Sequence, residues 1–232
     1  MQIDYLKTST RMALQGHYRG PVSAALLYFA ILILADSLTP GQTASDGALN
    51  LIGLGISVVV SILMYIFKAG QARISLQILK GEQEVGKDTY YGFRSGTDRY
   101  LYFGLVKTLM ELVFVGVTYM LLMGADGMNP GRFIMAAVWF LLGGLCYLYI
   151  SLSISLTLPI LVDDETMDTT EAIKESIRLM KGMHGKLFFM YLSFIGWIVL
   201  CVMSLGVGLL LVSPYVITTK MNFYLNLKNA TK

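Results

Sequence analysis

The sequence predicts an all-α membrane protein: a polytopic bundle of about six transmembrane helices with amphipathic helices on the cytoplasmic side. Three observations predict it. Of the 232 residues, 55% are apolar and only 14% are charged, against roughly 25% charged in a soluble domain. Apolar runs approaching or exceeding the ~20 residues that span a bilayer recur along the chain. Lysine and arginine collect in alternate polar segments, the asymmetry that orients membrane proteins with their basic side inward.

The elements follow in order. Residues 2 to 16 place Ile3, Leu6, Ala13 and Leu14 on one helical face, which suits a short helix on the inner membrane surface. A first spanning helix is expected over about 21–38. Its apolar run has no small-x-small cleavage site at its end, so a retained helix is predicted rather than a signal peptide. A second covers about 48–70, with Gly53, Ser57 and Ser61 as a small-residue packing stripe. The segment 71–100 is basic and rich in tyrosine, and its composition suits anchoring at the headgroups better than nucleic-acid binding. Helices at about 101–124 and 133–158 follow, the latter with Gly144, Tyr147, Ser151 and Ser155 along one face as a packing and hydrogen-bonding surface.

The segment 159–186 opens a helix at Asp168, whose carboxylate and that of Glu171 can serve the exposed N–H groups of the first turn. Ile173, Ile177 and Met180 form its expected apolar face, and Gly182 its stop. The last apolar run, 187–217, exceeds the ~20 residues that one span needs and holds Gly206 and Gly208, so by apolarity alone it reads either as one long tilted helix or as two short ones. Two helices at about 187–204 and 207–226 are expected, joined by a glycine turn. Charge favours this count. The loop 39–47 has no lysine or arginine, whereas the segments 1–20, 71–100 and 159–186 are basic. The tail 227–232 carries Lys228 and Lys232, which an even number of crossings keeps inside. The chain is thus one membrane domain, 1–232, with both termini cytoplasmic.

Few residues suggest chemistry. Glu111 lies near the centre of the third helix, where an ionised carboxylate is costly, and Lys107 one turn earlier is its expected partner. The order, lysine before glutamate, is the less favourable one on a helix. Glu111 is expected to face the bundle. Asp163, Asp164 and Glu165 are adjacent acids read as a solvated loop, since adjacency fixes no metal geometry. Cys146 and Cys201 read as small apolar packing residues. No catalytic, cofactor-binding or metal site is predicted. H-E-x-x-H, G-x-S-x-G and phosphate-loop patterns do not occur.

The segment Leu161 to Leu200 is distinctive, above all Leu192-Ser-Phe-Ile-Gly-Trp197. Ser204-Leu-Gly-Val-Gly208, Pro214-Tyr215 and Asn222-Phe-Tyr224 follow it. Upstream, Arg11-x-Ala13-x-x-x-Gly16-x-Tyr18 and Phe67-x-x-Gly70 belong to the same pattern. Together they resemble the uncharacterised bacterial membrane family named domain of unknown function 975, over nearly the whole chain. The turn departs from the family in holding Ser and Leu where Thr and Ile are usual. The resemblance implies a multi-helix protein of the bacterial cytoplasmic membrane and no assigned activity. Within the motif, Gly196 is expected to admit a close helix neighbour. Trp197 and Tyr215 are expected at different depths, and Pro214 to leave backbone carbonyls free inside the last helix.

The expected function is non-enzymatic, through membrane lipids or a partner protein, self-association included. A small transporter or channel component with Glu111 in the pathway is the alternative, and an intramembrane enzyme the last choice.

Overall fold

The computed structural model describes residues 3–38, 47–82, 90–123, 130–197, 201 and 208–230, apart from the side chains of 35, 36, 38, 47–51, 123 and 130. The described residues contain helices and no strand. Helix α1 is Ile3–Leu14, α2 Arg19–Leu38, α3 Gly47–Lys80, α4 Tyr91–Arg94 and α5 Thr97–Met123. Helix α6 is Pro130–Ser153, α7 Thr157–Asp163, α8 Thr169–Met180, α9 His184–Leu192 and α10 Leu209–Ala230.

Helix α3 is the central element. Its 34 residues reach about 51 Å at 1.5 Å per residue, and it packs against α2, α5 and α10. It runs ten residues past the expected end at 70, so much of the segment 71–100 is helix. The helix continues because residues 71–80 contain neither glycine nor proline, and Ile74, Leu76 and Ile78 are buried. It comes closest to α5 at Gly104, where a Cβ atom would stand 2.9 Å from the Ile62 carbonyl and 3.0 Å from the Tyr65 ring. Beside that contact Tyr65 and Phe103 meet edge to face at 5.5 Å.

Among the described residues, three helical stretches are long and apolar enough to cross a membrane: 52–80, 97–122 and 131–163. A fourth is added if α1 and α2, which meet at 98°, form one broken span. The expected fifth span falls on α9 and on residues largely outside those described. The expected sixth falls on α10, whose Thr218, Thr219, Lys220 and Asn222 dilute its apolarity.

Three local expectations are corrected. The helix predicted over 133–158 breaks at residues 154–156 and resumes as α7. The break is satisfied by α8, whose Ser176 hydroxyl donates to the Ser153 carbonyl at 2.7 Å and accepts from the Leu156 amide at 3.2 Å. This rotates α8: its buried side is Ala172, Ser176, Leu179 and Met180, and Ile177 is exposed. The start and stop of α8 are as predicted, with the Asp168 side chain accepting from the Thr170 amide and Gly182 at φ +75°. Helix α1 is likewise packed into protein rather than lying free. Leu6 and Leu14 are fully buried. Asn222 of α10 donates to the Leu6 carbonyl, Ser9 and Thr10 at 2.9–3.3 Å.

The core is asymmetric. Leu6, Tyr100, Leu156, Leu161, Met180 and Phe223 form one buried cluster. It lies where α1, the last turns of α3, the first turn of α5, and α7, α8 and α10 converge. Beyond it α5 and α6 extend with large apolar side chains exposed, Met120 at 76% and Leu141 at 65% among them.

Candidate functional site

The polar ends of the helices build a tight junction. Asp163, at the end of α7, is only 6% exposed in its side chain. It accepts from Lys80 at 3.0 Å, from the Tyr224 hydroxyl at 3.0 Å and from Lys228. Glu165 accepts from the Tyr91 hydroxyl at 2.6 Å and from Ser95 at 3.3 Å, with Arg73 3.8 Å away. Arg99 donates to the carbonyls of Asp164 and Met167 at 3.4 and 3.1 Å. The solvated acidic loop expected here holds for Asp164, whose exposed carboxylate accepts from Thr166, and for Glu165, whose side chain is 48% exposed; it is corrected at Asp163, which is buried against Lys80 and Lys228 from α3 and α10. The Tyr91 hydrogen bond, with the charges of Arg73 and Arg99, holds Glu165 below its ordinary carboxylate range against a small opposing effect of burial. Burial and the bond to Glu165 push the Tyr91 hydroxyl up. Among the described residues no three His, Cys, Asp or Glu side chains gather to hold a metal ion.

A cavity of about 180 Å³ opens among α2, α3, α7 and α10. It is lined by Lys68 and Lys220, together with Tyr28, Gln71 and Ser213. Leu158, Ile217 and Met221 supply apolar surface. Gln71 is fixed by a bond from its amide to the Ala24 carbonyl at 3.2 Å. Lys68 lies over the Tyr65 ring at 4.3 Å. Among the described residues Lys220 has no hydrogen-bond or ion-pair partner. Lys107 of α5 lies within electrostatic range of both. Like charges brought close together disfavour one another, so three neighbouring lysines from three helices around one cavity are a functional indication.

Glu111 lies beside this cluster. It is exposed on α5, yet acts electrostatically on Tyr28, Tyr65, Lys68, Lys107 and Tyr147, which belong to α2, α3, α5 and α6. The expected ion pair with Lys107 is not formed within 4.0 Å. Lys107 donates instead to Ser151 of α6 at 2.8 Å. The unfavourable order on the helix and a nearer acceptor explain the change. The α6 stripe is the expected packing and hydrogen-bonding surface at Gly144, Tyr147 and Ser151, whereas Ser155 falls in the break after α6 and its buried hydroxyl has no hydrogen-bond partner among the described residues. Besides Ser151, Tyr147 stacks on Phe114 at 5.0 Å, and Gly144 leaves room for the same ring.

The C-terminal motif is structural where it is described. Tyr215 meets Phe194 edge to face at 5.3 Å, and its hydroxyl donates to the Lys7 carbonyl at 3.3 Å. Pro214 is buried inside α10 against a void of about 10 Å³ shared with Pro21, Gln71 and Ser75, about the smallest space that admits a water. Trp197 is half exposed. Gly196 is a correction: among the described residues nothing lies within 4 Å of where its Cβ would be, so none of the described helices approaches it closely. Gly208 opens the turn into α10 and accepts from the Leu211 and Val212 amides. Gly206 lies outside the described residues. Cys201 is buried, whereas Cys146 is exposed on α6 rather than packed.

The residues that sequence reasoning missed are Lys68 and Lys220. The signal is present, since each expected helix at 48–70, 101–124 and 207–226 holds a lysine, but Lys107 counts in the sequence only as the partner of Glu111, and Lys220 only as part of the basic C-terminal end with Lys228 and Lys232.

Neither the curated proteins nor the solved structures contain a match to this chain. Residues 1–231 match the family described as protein of unknown function (DUF975), and the chain belongs to that family.

Proposed function

We propose that this chain is an integral membrane protein that crosses the bacterial cytoplasmic membrane six times with both ends inside. On this reading it acts by binding membrane lipid or a partner protein, and not by catalysis. One observation carries most of the support: the division between a polar, basic junction at one end and bare apolar helices beyond it. Exposed side chains such as Val113, Phe140 and Leu145, at 58–63%, are unfavourable in water over so large an area and at home in acyl chains. The junction also supports the count. The end of α3, the start of α5, the end of α7 and the end of α10 meet around Asp163 and Arg99. An even number of crossings between α7 and the end of α10 satisfies that convergence, which fits one hairpin of two helices.

The test is alkaline carbonate extraction of membranes, combined with a reporter fused after Lys232. The protein is expected to stay with the membrane, with the reporter active only in the cytoplasm. A reporter active only outside would overturn the six-helix reading, and release by carbonate would overturn membrane integration.

A second reading has its own support in the position of Glu111 beside the lysine-lined cavity. In it the chain is a small transporter or channel component with Glu111 in the pathway. Solute flux in proteoliposomes, compared between the native chain and Glu111→Gln, tests it. Flux from neither would remove it.

A further inference from the structure

We propose that the cavity walled by Lys68 and Lys220 is a binding site for a phosphate-class oxyanion, carried on an anionic phospholipid headgroup or free in solution. The inference rests on the binding function proposed above and names the chemistry that is bound.

Four features of the cavity argue for it. Its wall contains two lysines from different helices and no carboxylate. Glu111, the nearby acid, acts on Lys68 and Lys107 but lines no part of it. Two lysines on a cavity wall that holds no acid suit an anion. Second, the charges are spread among helices: Lys68 on α3, Lys220 on α10, and Lys107 within electrostatic range on α5. A compact carboxylate is satisfied by one lysine. Phosphate offers several oxygens to point-charge donors arriving from different directions.

Third, the hydroxyls of Tyr28 and Ser213 add donors, whereas Leu158, Ile217 and Met221 offer apolar surface suited to a glycerol or acyl portion. The volume, about 180 Å³, is more than ten times the ~10–15 Å³ that admits one water. Fourth, the depth fits a headgroup. Lys220 precedes Lys228 of the junction by eight residues, about 12 Å along the helix. That is just inside the interfacial layer, where basic pockets between helices take lipid headgroups.

The experiment uses the full chain, purified in detergent, and follows its melting temperature. The additives are phosphatidylglycerol, phosphatidylcholine and inorganic phosphate. A ligand that binds the folded state raises the midpoint. Phosphatidylglycerol, inorganic phosphate or both are expected to raise it, and phosphatidylcholine is not. A response to the lipid alone identifies the headgroup as the source, and a response to phosphate alone identifies the free anion. In Lys68→Gln/Lys220→Gln the concentration needed should rise about ten-fold or more. The control Lys174→Gln/Lys181→Gln, on the exposed side of α8 and beyond its end, should respond as the native chain does.

No shift of the native chain with either anion, or an equal response from the double variant, overturns the site. Should the double variant fail to fold, Lys220→Gln set against Lys220→Arg reads the same charge, and an equal response from those two overturns it. Carbonate extraction is independent of these measurements. A chain that stays in the membrane and ignores both anions loses this site and keeps its membrane assignment.

Discussion

The Ser176 hydroxyl donates to the Ser153 carbonyl at 2.7 Å and at the same time receives the Leu156 amide. One side chain of α8 thereby joins the two sides of the break between α6 and α7. Ser176→Ala deprives two buried backbone groups of a partner and should cost about 1–3 kcal/mol. The check is a lowered thermal midpoint in detergent, and an unchanged midpoint would show that the break needs no peg.

Asp163→Asn should destabilise the junction by about 1.5–3 kcal/mol, the range for hydrogen bonds to charged groups. The lower part of that range applies because Lys80 and Lys228 are themselves part exposed. A double-mutant cycle of Asp163→Asn with Lys228→Gln should show coupling between the two positions. Strict additivity would mean that the contact contributes nothing.

The acid response follows from Glu165. Its pKa in the folded state lies below its unfolded value. Its contribution is therefore complete above the unfolded carboxylate pKa of about 4.3 and is lost as pH falls through the folded value. Tyr91→Phe removes the largest cause of the depression. The variant should lose less stability than the native chain between about pH 5 and pH 3. Melting temperatures of the two across that window test this, and parallel curves would refute it.

Glycine substitutions should separate two positions that look alike in the sequence. Gly104→Ala drives a methyl group toward the Ile62 carbonyl and should cost about 1–3 kcal/mol by overpacking. Gly196→Ala meets open space and should be neutral, or stabilising by up to about 1 kcal/mol through helix propensity. Equal losses at both sites would contradict the close approach of α3 and α5.

Helices were legible wherever periodicity or a cap marks them. Asp168 and Gly182 bracket α8 as the sequence predicts, because capping is local chemistry. Tertiary contacts were not legible. Nothing near Ser176 announces that its hydroxyl serves a break twenty residues earlier, so its face was assigned to Ile173 and Ile177 by apolarity alone. Asp163 looked solvated because its partners lie at 80, 224 and 228. For the candidate site, Glu111 was found by its rarity in an apolar run. Lys68 and Lys220 acquire meaning only when helices far apart in sequence enclose one cavity.

Asp163 draws its partners from residues 80, 224 and 228, and this sets an order on biogenesis. During synthesis Lys80 is made before the aspartate, whereas Tyr224 and Lys228 follow it by 61 and 65 residues. A chain made only as far as α9 therefore holds this acid with one of its three donors. The junction closes when the later turns of α10 arrive, so α10 acts as a latch on the helices made before it.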